Sequence, residues 1–399
     1  MAQDPTPIST KVGIIGGGPA GLMLSHLLAK AGIDNIVVES RDVETIHNTH
    51  RAGILEAGSV AMLTDTGVDG RINKLGDEHA GIDLRFGGES HPMDFRELVD
   101  ATVTLYAQNE VFLDLSNARK RDGGQVYYSS EVTELLDVLT DRPGFRFTDA
   151  DGNQHEVRAD LLVGADGSRS FCRRWIPEAE RENFTHEYPF AWFGILTEAP
   201  KSAPELIYAR SDHGFALISQ RSETVQRMYF QCDPNENVDD WSEDRIWAEL
   251  QKRVDGPDGL QLKTGPIFDK SVLAFRSFVR QPLRHGNLFL AGDAGHTVPP
   301  TGAKGLNLAF ADVKVLFEAI DSFYSTQSTA LLDGYSDTAL RRVWKAQHFS
   351  YWMTSMLHSV PGRSNFENAR TLGELDSVVS SRFGQQYLAE AYTGWPHGI

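Results

Sequence analysis

Residues 11–39, KVGIIGGGPAGLMLSHLLAKAGIDNIVVE, decide the fold. A short apolar strand runs into the pattern GxGxxG (Gly16, Gly18, Gly21), an apolar helix follows, and a second apolar strand ends at Glu39. This order predicts a βαβ unit that binds a dinucleotide, with the pyrophosphate at the helix N-terminus. Glu39 lies about 20 residues downstream of the glycines, where a carboxylate binds the ribose. The alternative, a glycine turn needed only for packing, does not explain Glu39.

Two later strands also end in carboxylates. The apolar run 161–164 leads into Asp166-Gly167, and the apolar run 287–291 leads into Gly292-Asp293. A carboxylate at the carboxyl end of a strand in a doubly wound sheet points into the ligand crevice. Asp166 alone could be a helix N-cap. Together with Asp293, it predicts a second arm of the same dinucleotide site.

The stretch 292–307, GDAGHTVPPTGAKGLN, predicts a ligand-binding turn in front of a long helix. Apolar residues recur at helical spacing after it, so we expect the helix to begin near Lys304. The free amides at its start and the positive end of its dipole suit an electron-rich or anionic group. Lys304 adds a full positive charge.

The region 190–231 predicts an antiparallel sheet with strands over 190–196, 206–210, 214–221 and 227–231. Because side chains alternate along a strand, Leu217, Ser219 and Arg221 share one face, and Tyr208 lies on a neighbouring strand. These residues describe a pocket with apolar walls and a guanidinium end that suits a carboxylate. The alternative is an outward-facing arginine on a half-exposed sheet.

Composition limits the classes of partner. The chain has 399 residues and a formal net charge of −17, which argues against nucleic acid and anionic membranes. Two cysteines provide neither a disulfide framework nor a metal cluster, so we expect a reducing, cytoplasmic location and no metal. No apolar run reaches the ~18 residues of a membrane span, and no signal peptide is expected.

Two further stretches carry weaker predictions. Residues 51–55 are expected to open a helix, and Arg41 and Arg51 either reach a pyrophosphate or are surface charges. Residues 336–357 predict a helix rich in aromatic side chains, typical of core or of a subunit interface.

The order GxGxxG, Asp-Gly, Gly-Asp resembles the flavin-dependent aromatic hydroxylases. The likeness extends over essentially the whole length, most specifically in HRAGILE from His50, YPFAWFG from Tyr188, LRHGNLFLAGDAGHTVPPTGAKGLNLA from Leu283 and WMTSMLH from Trp352. It implies a mixed α/β (α+β) fold. A Rossmann-like FAD-binding domain would span 1–182, a substrate domain with an antiparallel sheet 183–297, and a C-terminal helical interface region 298–399.

The resemblance also assigns site residues by position. It implies FAD contacts at Gly16, Gly18, Gly21, Glu39, Arg51, Gln108, Asp166, Asp293, Leu306 and Asn307. It implies a substrate carboxylate site at Ser219, Arg221 and Tyr229, and a substrate hydroxyl site at Tyr208 and the carbonyl of Pro300. Further catalytic roles fall on Tyr392 and His79 in a proton relay, on Arg227 in movement of the flavin ring, and on Lys304 and Asn307 beside the ring. Nicotinamide nucleotide contacts fall on Arg41, Arg51, Arg169 and Arg276.

The activity implied is hydroxylation of 4-hydroxybenzoate to 3,4-dihydroxybenzoate with bound FAD, NAD(P)H and O2, through a flavin C4a-hydroperoxide, in a homodimer. NADPH is favoured over NADH as the reductant. Asp42 and Glu44, which would repel a 2′-phosphate, Thr49 in place of a basic residue, and Arg169 in place of the family's common histidine leave NADH open. The alternatives are a regioisomeric hydroxybenzoate as substrate, a flavin oxidase or dehydrogenase, and a non-catalytic FAD-binding sensor.

Overall fold

A computed structural model describes residues 7–49, 53–68 and 70–395 of the chain. Arg51, predicted at both nucleotide sites, lies outside the described residues.

The strands of the described residues are numbered in chain order. They are β1 (Ile8–Ser9), β2 (Val12–Ile15), β3 (Asn35–Val38), β4 (Ile54–Glu56), β5 (Asp77–His79), β6 (Gly81–Phe86), β7 (Glu89–Asp94), β8 (Val103–Leu105), β9 (Gln125–Tyr127), β10 (Glu131–Leu136), β11 (Gly144–Thr148), β12 (Gln154–Arg158), β13 (Leu161–Gly164), β14 (Glu182–Glu198), β15 (Leu206–Ser211), β16 (Gly214–Gln220), β17 (Val225–Cys232), β18 (Ile267–Gln281), β19 (Arg284–His285), β20 (Leu288–Leu290) and β21 (His296–Thr297).

The helices are numbered in the same way. They are α1 (Pro19–Lys30), α2 (Val43–His47), α3 (Ala57–Thr64), α4 (Ile72–Leu75), α5 (Phe95–Val99), α6 (Gln108–Arg121), α7 (Glu243–Val254), α8 (Gly305–Thr326), α9 (Ala330–Asp333), α10 (Tyr335–Leu357), α11 (Asn365–Val379) and α12 (Arg382–Thr393).

The predicted βαβ unit, β2-α1-β3, is confirmed and lies in a six-stranded sheet of order β19-β20-β13-β2-β3-β9. β20, β13, β2, β3 and β9 run parallel to one another, and β19 pairs antiparallel with β20. All residues of β2, β13 and β20 are buried, as expected for strands covered on both faces. The carboxyl ends of these strands therefore place the glycine motif, Asp166 and Asp293 along one edge.

The predicted antiparallel sheet is also confirmed, and it is larger than expected. Its order is β21-β18-β14-β17-β16-β15-β6-β7, so the hairpin β6–β7 from residues 81–94 joins its edge through a parallel pairing with β15. β14 begins at Glu182, whereas the sequence predicts a start at 190. The prediction misses the first residues of the strand because they are polar and mostly exposed and show no apolar alternation. The domain boundaries at 182/183 and 297/298 stay a prediction.

The helix predicted over 51–55 is wrong for the described part of that stretch. Ile54, Leu55 and Glu56 form β4, which pairs antiparallel with β8, and the helix α3 begins only at Ala57. Gly53 explains the difference. A Cβ on this residue would lie 1.9 Å from the Tyr106 carbonyl oxygen, so the backbone here must approach a neighbouring segment closely.

Three apolar clusters hold these layers together. One surrounds the six-stranded sheet with α1, α6 and α8, and a second fills the space between one face of the eight-stranded sheet and α10 to α12. The third lies on the opposite face of that sheet, under α7. The described chain contains no helix whose length and apolar character would let it cross a membrane.

Candidate active site

The glycine motif forms an open cradle at the start of α1. Gly16 has φ +107°, and a Cβ on Gly21 would lie 1.9 Å from the Gly16 carbonyl oxygen, so both positions require glycine. Around Gly18 a Cβ would meet nothing within 4 Å, and no side chain caps the helix there. The space in front of the first turn of α1 is therefore open, as an incoming phosphate requires.

The carboxylates predicted for this site stand beside the cradle. Glu39 is buried, accepts a 2.8 Å hydrogen bond from the Gly17 amide, and is also bound by the Arg41 amide and side chain. Asp166 accepts from the amides of Phe171 and Cys172 through Oδ2, while its buried Oδ1 has no hydrogen-bond partner among the described residues. The residues present thus fit a bound dinucleotide.

A buried pair of side chains, Asp312 and His296, holds the Gly292-Asp293 turn in place. The Asp312 carboxylate accepts from the Gly292 amide at 2.8 Å and contacts Nε2 of His296 at 2.6 Å. Although burial lowers the pKa of His296, the attraction of Asp312 outweighs it and raises the pKa above its ordinary value. α8 begins at Gly305, as predicted, without a side-chain cap at Lys304. Leu306 and Asn307 follow in its first turn, and Gln108 opens α6.

Replacing Gly21 with alanine is expected to reduce the FAD bound per chain by about tenfold or more, because a methyl group at that position forces the cradle open. Bound flavin is measured by its absorbance after release from the purified protein. Gly373→Ala is the matched control, since a Cβ there meets nothing within 4 Å. Equal flavin content in both variants would contradict the assignment of the cradle.

A cavity lies between the eight-stranded sheet and the segment that follows β20. It brings together predicted substrate residues that are far apart in the sequence. Its walls are formed by Gly53, Ile54, Leu105, Tyr106, Ala107, Trp192, Leu206, Tyr208, Leu217, Ser219, Gln220, Arg221, Arg227, Tyr229, Pro300 and Ala303. Because Pro300 and Ala303 lie between Asp293 and α8, the cavity adjoins the predicted dinucleotide site.

Two arginines mark one end of the cavity. Burial, with the nearby charge of Arg227, lowers the pKa of Arg221 to about 10. Arg227 is buried, its guanidinium lies 5.1 Å from the centre of the Tyr229 ring, and its Nη1 finds no partner among the described residues. Ser219 Oγ donates to the Arg227 carbonyl oxygen at 2.6 Å. Two neighbouring cations, Arg227 buried and Arg221 half-buried, form a site for an anion, and both line the cavity.

On another wall, Tyr208 lines the cavity and Tyr392 lies behind it. The hydroxyls of Tyr208 and Tyr392 lie 2.8 Å apart, and both side chains are buried. Burial raises the pKa of Tyr208 above its ordinary value, and it raises the pKa of Tyr392 further with the help of the neighbouring Tyr208. Both hydroxyls therefore keep their protons near neutral pH and can pass one along their hydrogen bond.

Lys304 does not stand alone as a positive charge. Its Nζ lies 2.6 Å from Glu56 Oε1 and 2.8 Å from the Tyr392 carbonyl oxygen, and Arg342 contacts the other oxygen of Glu56 at 3.3 Å. Burial lowers the pKa of Lys304, and Glu56 opposes that shift. Asn307 Oδ1 accepts from the Glu56 amide at 2.9 Å. Sequence reasoning misses Glu56, although it ends the specific string HRAGILE.

His79, at the end of β5, lies in a cluster of polar side chains. Its Nδ1 contacts Glu205, its Nε2 lies 3.2 Å from Asp77, and Gln220 contacts the same nitrogen. Glu205 is close enough to Tyr392 to contribute to its raised pKa. Glu205 and Asp77 are partly exposed, so this group extends from the neighbourhood of Tyr392 toward solvent.

The predicted nicotinamide contacts are spread over two sheets. Arg41 binds Glu39 at the end of β3, Arg169 is exposed after Asp166, and Arg276 on β18 lies 5.7 Å from the Phe278 ring. The guanidinium of Arg173 lies 4.7 Å from the centre of the same ring. In the described chain no group of three His, Cys, Asp or Glu side chains is placed to hold a metal ion.

Known proteins resemble this chain over most of its length. A family profile described as an FAD binding domain matches residues 9–350. The p-hydroxybenzoate hydroxylase of Acinetobacter baylyi is 43% identical over 393 residues, which cover 98% of this chain and 97% of that protein. A probable NADH-specific resorcinol 4-hydroxylase of Rhodococcus jostii is 24% identical over 345 residues, 81% of this chain and 61% of that protein.

Solved structures share the fold at lower identity. The p-nitrophenol 4-monooxygenase of Pseudomonas putida superposes with a TM-score of 0.80 and 20% identity, covering 98% of this chain and 100% of that one. The Diels-Alderase PyrE3 superposes with a TM-score of 0.77 and 22% identity, covering 97% of this chain and 81% of that one. The predicted mixed α/β class is confirmed, and PyrE3 shows that the fold alone does not fix the reaction. From the profile and the 43% identical relative, this chain belongs to the family of FAD-binding aromatic hydroxylases that includes p-hydroxybenzoate hydroxylase.

Proposed function

We propose that this chain hydroxylates 4-hydroxybenzoate to 3,4-dihydroxybenzoate with bound FAD, a reduced nicotinamide nucleotide and O2. The observation that carries the proposal is one cavity with the Arg221–Arg227 pair at one end and, on another wall, Tyr208 hydrogen-bonded to Tyr392 behind it. The identity of 43% to a p-hydroxybenzoate hydroxylase supports it.

The two ends of the cavity suit the two substituents of the ring. Tyr208 stands opposite Leu217 in the register of β15 and β16, and Arg221 follows four residues later. At about 3.3 Å per residue this is roughly 13 Å along the strand, and the inward side chains leave room for one substituted ring between them. A carboxylate at Arg221 accepts bidentate bonds from the guanidinium. The para hydroxyl then meets Tyr208, which favours the para isomer over its regioisomers.

The tyrosine pair manages the phenolic proton. A free phenol of this kind has a pKa near ~10, so it is mostly protonated in water at neutral pH. Tyr208 accepts that proton as its own passes to Tyr392, and the polar group around His79 and Glu205 leads it toward solvent. Lys304, Glu56 and Arg342 together leave one net positive charge beside the site, which favours the phenolate. The ionised ring is more electron-rich at the position ortho to the oxygen.

The walls exclude water. Trp192, Leu206 and Leu217 are buried and apolar, and they surround the ring position between the two polar ends. FAD held at the glycine cradle would supply electrons taken from the nicotinamide nucleotide and would activate O2. The protein residues hold the ring flat, in one orientation, beside that cofactor.

Oxidation of NADPH and NADH should accelerate when 4-hydroxybenzoate is added, with one 3,4-dihydroxybenzoate formed per nucleotide consumed. The measurement follows nucleotide absorbance and identifies the product by chromatography. Hydrogen peroxide as the sole product would instead indicate an oxidase, and a reaction confined to 2- or 3-hydroxybenzoate would assign another isomer. No stimulation by any aromatic acid would favour a non-catalytic FAD-binding sensor.

We also propose that NADPH is preferred over NADH, with the exposed Arg276 and Arg169 as phosphate contacts.

We further propose that the protein is a cytoplasmic homodimer. The free thiols Cys172 and Cys232 fit a reducing compartment. Phe366 and Phe383, which are 77% and 84% exposed on α11 and α12, supply apolar surface for a second copy. Light scattering measures the mass, and a monomer at micromolar concentration would contradict the dimer.

A further inference from the structure

The indole of Trp192 forms a wall of the cavity, yet its N–H is directed away from it. Nε1 donates to Nε2 of His358 at 2.7 Å, and His358 is not among the residues that line the cavity. Both side chains are buried, with exposures of 1% and 0%. The indole therefore presents only carbon atoms to the bound ring.

The hydrogen bonds of His358 fix its tautomer. Nδ1 lies 2.9 Å from the Thr354 carbonyl oxygen, which can only accept, so Nδ1 carries the proton. Nε2 is left with a lone pair for the Trp192 N–H. Burial lowers the pKa of His358 to about 3, although its bond to Thr354 opposes this, and the positive charge of Arg210 lowers it further. The imidazole thus stays neutral and accepting throughout the physiological pH range.

Stacked rings hold the imidazole in place. The centre of the His358 ring lies 4.6 Å from that of Phe190, at an interplanar angle of 7°, and 4.3 Å from that of Phe215. The Trp192 ring is nearly parallel to it, at 8°. His358 follows the last residue of α10, whereas Phe190 and Trp192 belong to β14. The hydrogen bond thus ties the cavity wall to the C-terminal helices.

We propose that His358 is a positioning residue that fixes Trp192 as an apolar wall and keeps its N–H out of the cavity. Without an acceptor behind it, the buried indole N–H would have to turn toward the substrate or its reacting oxygen to find a partner. A stray donor there would bind the substrate in a second orientation and would admit water, so turnover would lose coupling to hydroxylation. This assignment rests on the proposed hydroxylation and adds a specific residue to it.

Three variants test the proposal. His358→Leu removes the acceptor, His358→Gln restores an acceptor oxygen at a similar reach, and Trp192→Phe removes the donor. We expect His358→Leu to raise the KM for 4-hydroxybenzoate about fivefold or more and to lower product formed per nucleotide about twofold or more. His358→Gln should recover most of both. In the Trp192→Phe background, His358→Leu should change KM and coupling by less than twofold. Equal effects in both backgrounds, or unchanged KM and coupling in His358→Leu, would overturn the proposal.

A spectroscopic measurement separates this inference from the activity. The chain contains seven tryptophans, and the indole N–H resonance missing from Trp192→Phe identifies Trp192 by nuclear magnetic resonance. In the holoenzyme this resonance should be shifted as in a strong hydrogen bond, protected from exchange, and constant from pH 6 to 8. The chemical shift of this resonance should change in His358→Gln, so the test does not depend on whether His358→Leu folds. A resonance that titrates in this range, or exchanges freely, would overturn the proposal whether or not the substrate is correctly assigned.

Discussion

Replacing Arg221 with alanine is expected to raise the dissociation constant of 4-hydroxybenzoate by about 100-fold or more, while FAD content stays unchanged. The variant removes the bidentate partner of a carboxylate that must leave water to enter the cavity. A desolvated charge that loses its partner costs about 3 kcal/mol or more, and every 1.4 kcal/mol is tenfold in affinity. Arg227 remains nearby but stacks on Tyr229, so it offers only partial compensation. Equilibrium dialysis gives the dissociation constant directly.

Two further variants sharpen that measurement. Arg221→Lys keeps the charge without the planar fork and should fall between wild type and alanine. Arg253→Ala serves as the matched control, because Arg253 is a buried arginine that packs on Phe230, on the opposite face of the same sheet. The free energy of unfolding of Arg253→Ala should fall, but its dissociation constant for 4-hydroxybenzoate should stay within twofold of the wild-type value. A change of less than threefold in Arg221→Ala would place the carboxylate elsewhere.

Replacing Tyr208 with phenylalanine should leave substrate affinity within about fivefold but reduce hydroxylated product per nucleotide by about tenfold or more. The ring still fills its place in the wall, whereas the hydroxyl that accepts the phenolic proton and passes one to Tyr392 is lost. The substrate then stays a neutral phenol, which is a poorer nucleophile, and reduced cofactor is spent on hydrogen peroxide. Product and peroxide are measured in the same reaction.

Tyr335→Phe is the matched control for this experiment. Tyr335 is also fully buried and donates one hydrogen bond, to the Leu290 carbonyl oxygen at 2.7 Å, but it lies outside the cavity. Its loss should lower the melting temperature without changing the ratio of product to peroxide. Full coupling in Tyr208→Phe would remove this hydroxyl from the reaction.

The sequence predicts those parts of the fold that rest on local patterns. The glycine motif, the apolar runs into Asp166 and Asp293, and the start of α8 all follow from neighbouring residues, and the structure confirms these elements. The start of β14 is missed because its first residues are polar and mostly exposed. β4 is mistaken for helix because its pairing with β8 is decided by residues about fifty positions away.

Partners of buried charges are harder to predict. The contact of Lys304 with Glu56 joins residues 248 positions apart, and no periodic pattern in the sequence predicts it. The same holds for Trp192 and His358, 166 positions apart. The alternation of Leu217, Ser219 and Arg221 does predict which face they share, because a strand leaves only two choices. Which face is buried, however, depends on helices that pack from the end of the chain.

The pairing of β13 with β20 has a consequence for how the chain acquires its shape. Residues 162–164 lie beside residues 288–290, and the whole of β14 to β18 is inserted between them. Until the later strand arrives, one edge of the growing parallel sheet stays bare and ready to pair with a neighbouring molecule. Contacts so distant in sequence form slowly, so refolding from denaturant should be slow and prone to aggregate at high concentration. Within the inserted layer, β15, β16 and β17 pair as consecutive strands, so they should gain protection from hydrogen exchange first.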